Sequence, residues 1–225
     1  NEKYISPTTG KPIALIRISR GCPYACTYCT SKLYYGQKWR SRSPNNVLDE
    51  IGDCINKYWI NDFHFQSDTF NFNKQWVLEF CKGVHERNLD IHWVCNSRVN
   101  LVDEEMLVAM KGAGCWLIAF GTESGNQGIL DAVKKGATLE QAENAFKLTR
   151  KIGLKTIAYF MFNLPGETME TMKESRIFSR KINPDYVKFM KLVPYPGTEF
   201  YAMAEKNGWI KSKDWSLYDM TNNDF

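Results

Sequence analysis

Six times along the chain a short apolar run is followed by a longer stretch of helical periodicity, and no other feature restricts the fold so severely. The apolar runs cover residues 13–19, 62–66, 91–96, 116–121, 155–162 and 186–192, and each reads as a strand. Helical patterns follow over residues 46–58, 74–87, 103–112, 139–152 and 170–182, with a shorter one over 198–207. Such alternation implies parallel strands joined by right-handed crossovers. Ile13-Ala14-Leu15-Ile16 and Trp116-Leu117-Ile118-Ala119-Phe120 are apolar without a break, as strands covered on both faces are. A doubly wound sheet and a curved, barrel-like sheet both satisfy this pattern. A closed barrel of eight units takes about 250 residues, so six units in 225 residues predict an incomplete one, a partial (βα)6 TIM-like barrel.

Boundary signals agree with these elements. Asp103 precedes Glu104-Glu105, placing a capping side chain and negative charge at a helix start. Thr138 with Gln141 fits a capping box. Gly112, Gly153 and Gly208 fall where helices should stop. Residues 1–225 are expected to form one core domain. Asn1-Glu2-Lys3-Tyr4 is expected to be the cut end of a longer protein.

In a barrel of this kind chemistry sits on the loops leaving the carboxyl ends of the strands. The unusual polar residues fall there after all six strands: Ser19-Arg20-Gly21-Cys22, Ser67-Asp68, Asn96-Ser97-Arg98, Thr122-Glu123-Ser124, Asn163 with Gly166-Glu167, and Pro194-Tyr195-Pro196. The first loop carries Cys22, Cys26 and Cys29 within eight residues. Three thiolates suit a four-iron, four-sulfur cluster and leave one iron for an outside group. Zinc is the rival ion, but structural zinc sites close with four ligands. His64, His85 and His92 do not follow in zinc-finger spacing.

The run Arg20-Gly-Cys-Pro-Tyr-Ala-Cys-Thr-Tyr-Cys29 resembles the signature of radical S-adenosylmethionine enzymes. That resemblance implies a [4Fe-4S] cluster on Cys22, Cys26 and Cys29, with S-adenosylmethionine chelated to the open iron. It further implies reductive cleavage of that cofactor to a 5′-deoxyadenosyl radical that abstracts hydrogen. Asn96-Ser97-Arg98, Gly121-Thr122-Glu123-Ser124-Gly125, Leu164-Pro165-Gly166-Glu167-Thr168 and Pro196-Gly197-Thr198 are similar to the cobalamin-linked subgroup. By that likeness methyl transfer to carbon is the expected outcome. Cyclisation, rearrangement or epimerisation without methyl transfer is the alternative, and a non-catalytic iron–sulfur or zinc module is the reading from another class. Cobalamin, if used, is expected on a domain outside this chain, upstream of Asn1. Asp90-Ile91-His92 begins like a cobalamin motif, but Cys95 stands where that motif has Gly.

The resemblance also suggests the other site residues. Tyr28 is expected near the adenine and Asp68 at the cofactor's ammonium group, with capping of the next helix as the alternative role for Asp68. Arg98 is a candidate carboxylate clamp or a loop tie, and Glu123 a ribose acceptor or a helix-start carboxylate. Lys135 is placed at the cofactor carboxylate, or in solvent. Asn96, Asn163, Gly166 and Tyr195 complete the candidate cofactor-binding set. Asn163 stands where the subgroup has Gly, and Ser67-Asp68 where two Asp are common. Arg40 and Arg42 resemble the subgroup's basic loop.

Charge and cysteine usage narrow the setting. The net charge of +4 comes from scattered residues, so no nucleic-acid partner is expected. No stretch approaches the roughly 20 apolar residues of a membrane span. Seven Cys, three of them clustered, fit a reducing cytoplasm better than a disulfide scaffold. Expected partners are a small-molecule substrate and a low-potential electron donor such as flavodoxin or ferredoxin.

Overall fold

A computed structural model describes residues 4–6 and 9–218. Its main sheet has six parallel strands: β1 (Ile13–Arg17), β4 (Asp62–Gln66), β5 (His92–Ser97), β6 (Cys115–Glu123), β7 (Lys155–Phe162) and β8 (Tyr186–Lys191). Two short strands, β2 (Ser19–Arg20) and β3 (Arg40–Ser41), pair antiparallel in a separate ribbon over the first loop.

Strand order in the sheet is β1-β4-β5-β6-β7-β8, the order of the chain itself. A doubly wound sheet reverses direction at a switch point, and this one never does. Each right-handed crossover therefore lays its helix on the same face. The large crossover helices are α2 (Pro44–Tyr58), α3 (Lys74–Glu86), α4 (Glu104–Gly112), α6 (Leu139–Ile152) and α7 (Met169–Ile182). β1 and β8 are the two ends of the order and do not pair. The result is the expected six-unit partial barrel, with helices outside and a concave inner wall.

The main core lies between the outer sheet face and those helices. Phe65 is wholly buried there, edge-on to Phe80 and Trp93 at ring separations of 5.3 and 5.1 Å. Trp93 donates its indole N–H to the Ala113 carbonyl at 2.7 Å, which lets a polar ring sit in an apolar layer. Caps fix the helix starts: Asp103 accepts from the Met106 N–H at 3.1 Å, and Thr138 and Gln141 make both bonds of a capping box. Gly153 ends α6 in the left-handed region as expected, at φ +79°. Gly112 remains inside α4, and Gly114 makes the turn instead, at φ +88°.

Three further helices are short: α1 (Ser31–Tyr35), α5 (Gln127–Ala132) and α8 (Glu199–Lys206). A smaller apolar cluster joins α5 and α8 to the barrel mouth through Ile129, Val133, Leu164, Leu192 and Phe200. Among the described residues no helix is long and apolar enough to cross a membrane.

Candidate active site

The loop after β1 is anchored at several points. Gly21 adopts φ +89°, and a side chain there would strike the Lys38 carbonyl. The Cys22 N–H donates to the Gly36 carbonyl at 3.3 Å, and the Thr27 N–H to the Val133 carbonyl at 3.1 Å. The Thr27 carbonyl in turn accepts from the Phe200 N–H of α8 at 3.0 Å. These ties run from the loop to α5 and α8, so the thiols rest on fixed backbone. Cys22, Cys26 and Cys29 all line one cavity of about 230 Å³ at the barrel mouth. None of the seven Cys is in a disulfide. Cys81, Cys95 and Cys115 are buried in the core, away from that cavity.

The inner wall supplies the rest of the cavity. Register places Asn96, Ala119 and Ile157 in one layer and Gly121, Tyr159 and Lys188 in the next, all on the concave face. Asn96, Ala119, Gly121 and Tyr159 reach the cavity. At its floor Lys135 Nζ donates to Glu123 Oε1 at 2.7 Å, with side chains only 6% and 10% exposed. Both charges are out of water, where either one without the other would be strongly destabilising. Gly121 makes the room. A side chain there would overlap Glu123 Oε1 and lie 3.0 Å from Lys135 Nζ.

Glu123 itself sits at φ +69°, where the β6–β7 register slips between Gly121 and Glu123. A non-glycine residue there costs free energy, of order 1–3 kcal/mol. The kink turns the carboxylate toward the cavity instead of along the strand. Tyr28, half-buried against Ile129 and its neighbours, also faces this pocket. Burial first, and the Glu123 carboxylate second, push its phenol well above the usual range. It stays protonated at neutral pH.

Arg98 is committed to several partners. Its Nε donates to Asn100 Oδ1 at 3.0 Å and its Nη2 to the Lys135 carbonyl, while the guanidinium lies 3.5 Å from the Tyr24 ring centre. Its Nη1 points at Cys26 Sγ at 3.9 Å. The fork thus ties three loops and sets a fixed positive charge beside one thiol. Asp68 is exposed at the cavity rim and caps no helix; Asn73 caps α3. Ser67, its neighbour, is structural, bonded to Ser19 Oγ at 2.6 Å and accepting from the Thr69 N–H at 3.2 Å.

Nine of the twelve residues singled out from the sequence therefore meet at one cavity: Cys22, Cys26, Tyr28, Cys29, Asp68, Asn96, Arg98, Glu123 and Lys135. Asn163, Gly166 and Tyr195 lie on the β7 and β8 loops and do not line it. Asn163 occupies φ +67°, a region Asn tolerates better than most residues. That conformation accounts for an Asn in a position that otherwise favours Gly. Glu167 accepts from the Asn163 and Leu164 N–H groups at 2.6 and 3.3 Å, and burial pushes its carboxyl up. Tyr195 uses its carbonyl to hold the following turn, accepting from Thr198 Oγ1 at 2.6 Å. Ser31, Thr69, Ser97 and Tyr159 also line the cavity, and Tyr159 carries no sequence signal of its own.

A half-open parallel barrel with three accessible thiols around one cavity is a cofactor-binding catalytic scaffold. The donor set fits an iron–sulfur group: three soft ligands on one short loop, and open space beside them for a further ligand. Among the described residues no three His, Cys, Asp or Glu side chains converge on a single-ion position.

The family model for the radical SAM superfamily matches residues 16–178, and the chain belongs to that superfamily. It is 35% identical over 209 residues to an uncharacterised methyltransferase of Pyrococcus horikoshii, covering 93% of this chain and 46% of that protein. It is 30% identical over 226 residues to the cytidylyl-2-hydroxyethylphosphonate methyltransferase of Streptomyces wedmorensis, covering 97% and 42%. An anaerobic magnesium-protoporphyrin IX monomethyl ester cyclase of Rubrivivax gelatinosus is 32% identical, over 89% of this chain and 36% of the cyclase. The chain thus spans less than half the length of these curated relatives. The radical S-adenosylmethionine methyltransferase TsrM of Kitasatospora setae, solved with cobalamin and a [4Fe-4S] cluster, shares the fold at a TM-score of 0.79. That match has 22% identity and covers 90% of this chain and 38% of TsrM.

Proposed function

We propose that residues 1–225 form the catalytic core of a radical enzyme that methylates an unactivated carbon of a small molecule, with cobalamin carried on a domain outside these residues. The observation that carries this reading is the meeting of Cys22, Cys26 and Cys29 with Asp68, Glu123 and Lys135 around one cavity. A [4Fe-4S] cluster binding S-adenosylmethionine supplies, once reduced, a 5′-deoxyadenosyl radical that takes hydrogen from substrate.

In this reading Cys22, Cys26 and Cys29 would hold the cluster, and the Arg98 guanidinium beside Cys26 would offset thiolate charge. Asp68 accepts from the ammonium of the bound amino acid, and Asn96 orients it. Glu123 accepts from ribose hydroxyls. Its Oε2 has no partner among the described residues, while Lys135 on Oε1 keeps the carboxylate aimed. Tyr28 and Tyr159 wall the adenosyl pocket and exclude water. Asn163, Gly166 and Tyr195 shape the loops above it.

The methyltransferase names among the relatives support methyl transfer; the cyclase relative supports radical cyclisation as the second reading. A flavodoxin or ferredoxin would deliver the electron. The free thiols favour a reducing cytoplasm. Anaerobic reconstitution followed by a strong reductant is expected to yield 5′-deoxyadenosine. A loaded cluster with no such product would leave a binding module instead. Isotope-labelled methyl groups, followed in the full-length protein with cobalamin, separate methyl transfer from cyclisation.

A further inference from the structure

A larger cleft, of about 530 Å³, runs beside the cysteine cavity along the free edge of β1. Its lining includes Arg17, Arg20, Arg40 and Arg42 but one carboxylate, Glu50. Arg42 is paired with Glu50. The other three form no ion pair among the described residues. Arg17 donates to the neutral amide oxygen of Gln66 at 3.2 Å and lies 5.2 Å from the Tyr35 ring centre. Arg40 donates to the carbonyls of Lys38 and Tyr35, at 3.2 and 2.8 Å. Arg20 stands opposite Arg40 in the β2–β3 ribbon.

Guanidinium groups do not deprotonate in proteins, so neutral acceptors orient these charges without cancelling them. Like charges gathered in one cleft repel, and an anion between them relieves that repulsion. Planar forks with several N–H donors match phosphoryl oxygens in geometry as well as sign.

One polar wall separates this cleft from the cysteine cavity. Ser19 lines the cleft and bonds Ser67 at 2.6 Å, and Ser67 holds the Thr69 N–H. Thr69 lines the cavity, with its hydroxyl 3.8 Å from Cys22 Sγ. A ligand fixed by its anionic end in the cleft is therefore one side-chain layer from the cysteine cavity.

We propose that the arginine cleft binds the phosphoryl or phosphonyl group of the small-molecule substrate, whose reacting end crosses the Ser19–Ser67 wall. That the ligand is the substrate rests on the reading of the cysteine cavity given above; that the cleft takes such an anion does not.

Calorimetric titration of the anaerobically reconstituted full-length protein with inorganic pyrophosphate tests this. The wild type is expected to bind, more weakly as salt rises. Arg17→Gln and Arg20→Gln are each expected to weaken binding about tenfold, the scale of one lost charge-assisted hydrogen bond. Glu50→Gln, which removes the cleft's carboxylate, is expected to tighten it. A gain of affinity cannot come from misfolding, so this variant keeps the test decisive. Iron content and substrate-free 5′-deoxyadenosine formation should not change in Arg17→Gln, which lies outside the cysteine loop. No binding by the wild type, or equal affinity in all variants, overturns the proposal. Glycerol 3-phosphate binding at least as tightly as inorganic phosphate supports an esterified ligand, whereas a preference for free phosphate overturns the substrate assignment. Absence of 5′-deoxyadenosine with pyrophosphate binding intact defeats the reading of the cysteine cavity and leaves the anion site standing.

Discussion

At the scale of single residues, the cavity depends on three neighbours that work as a unit. Gly121 leaves out a side chain, Glu123 accepts an unfavourable backbone angle, and Lys135 matches the charge so exposed. Lys135→Met strands the Glu123 carboxylate in the interior and is expected to cost about 3–5 kcal/mol of stability, measured by denaturant unfolding. Glu123→Ala is expected to weaken S-adenosylmethionine binding, and an unchanged dissociation constant would remove the ribose role. Cys26→Ala leaves two thiols on the loop, and iron content after reconstitution should collapse. The three cysteines were legible because their spacing has no ordinary structural reason. Tyr159 was not, because a tyrosine within an apolar strand looks the same whichever face it takes. Only the β7 register shows that it points inward. Arg98 was legible as a polar loop residue, yet its bond to the Lys135 carbonyl and its place over the Tyr24 ring depend on loops that the chain order keeps apart.

At the scale of elements, the crossover helices owe their starts to side-chain caps that the sequence displays openly. Lys74, 2.8 Å from Asp103, holds that carboxyl below its usual range. The folded state therefore favours ionised Asp103. Its contribution is fully present above the unfolded value of about 3.9, and is lost as pH falls through the lower folded value. Asp103 is partly exposed, so the effect should stay under about 1 kcal/mol. Asp103→Asn keeps the cap but not the titration. Its melting temperature should lie below the wild type's at pH 7 and converge with it near pH 2. Thr138→Ala removes half of a capping box and should cost about 1 kcal/mol. The six main strands and their helices appear within a few residues of where periodicity puts them. The pieces that escaped, α1, α5 and the β2–β3 ribbon, span two to six residues each. So few residues complete less than two helical turns or one strand alternation, and their stability comes from docking on the cluster loop.

At the scale of the whole molecule, strand order decides the architecture. A sequence of alternating units leaves single and double winding equally open, because nothing local records on which side a crossover passes. The unbroken order of the six strands resolves it, and the outer core follows. Phe65→Ala would empty the centre of the aromatic cluster that joins β4 and β5 to α3, at a cost of about 3–5 kcal/mol. Calorimetry should register that loss as one cooperative transition at lower temperature.

The missing contact between β1 and β8 has a consequence for what such a protein can handle. A fully closed ring of strands admits only what fits its bore, and so sorts molecules by girth. Here the wall has a gap down one flank. A bulky molecule can lie across it, most of its mass outside, with only the atom to be altered projecting within. Discrimination by size is then handed to whatever covers that flank.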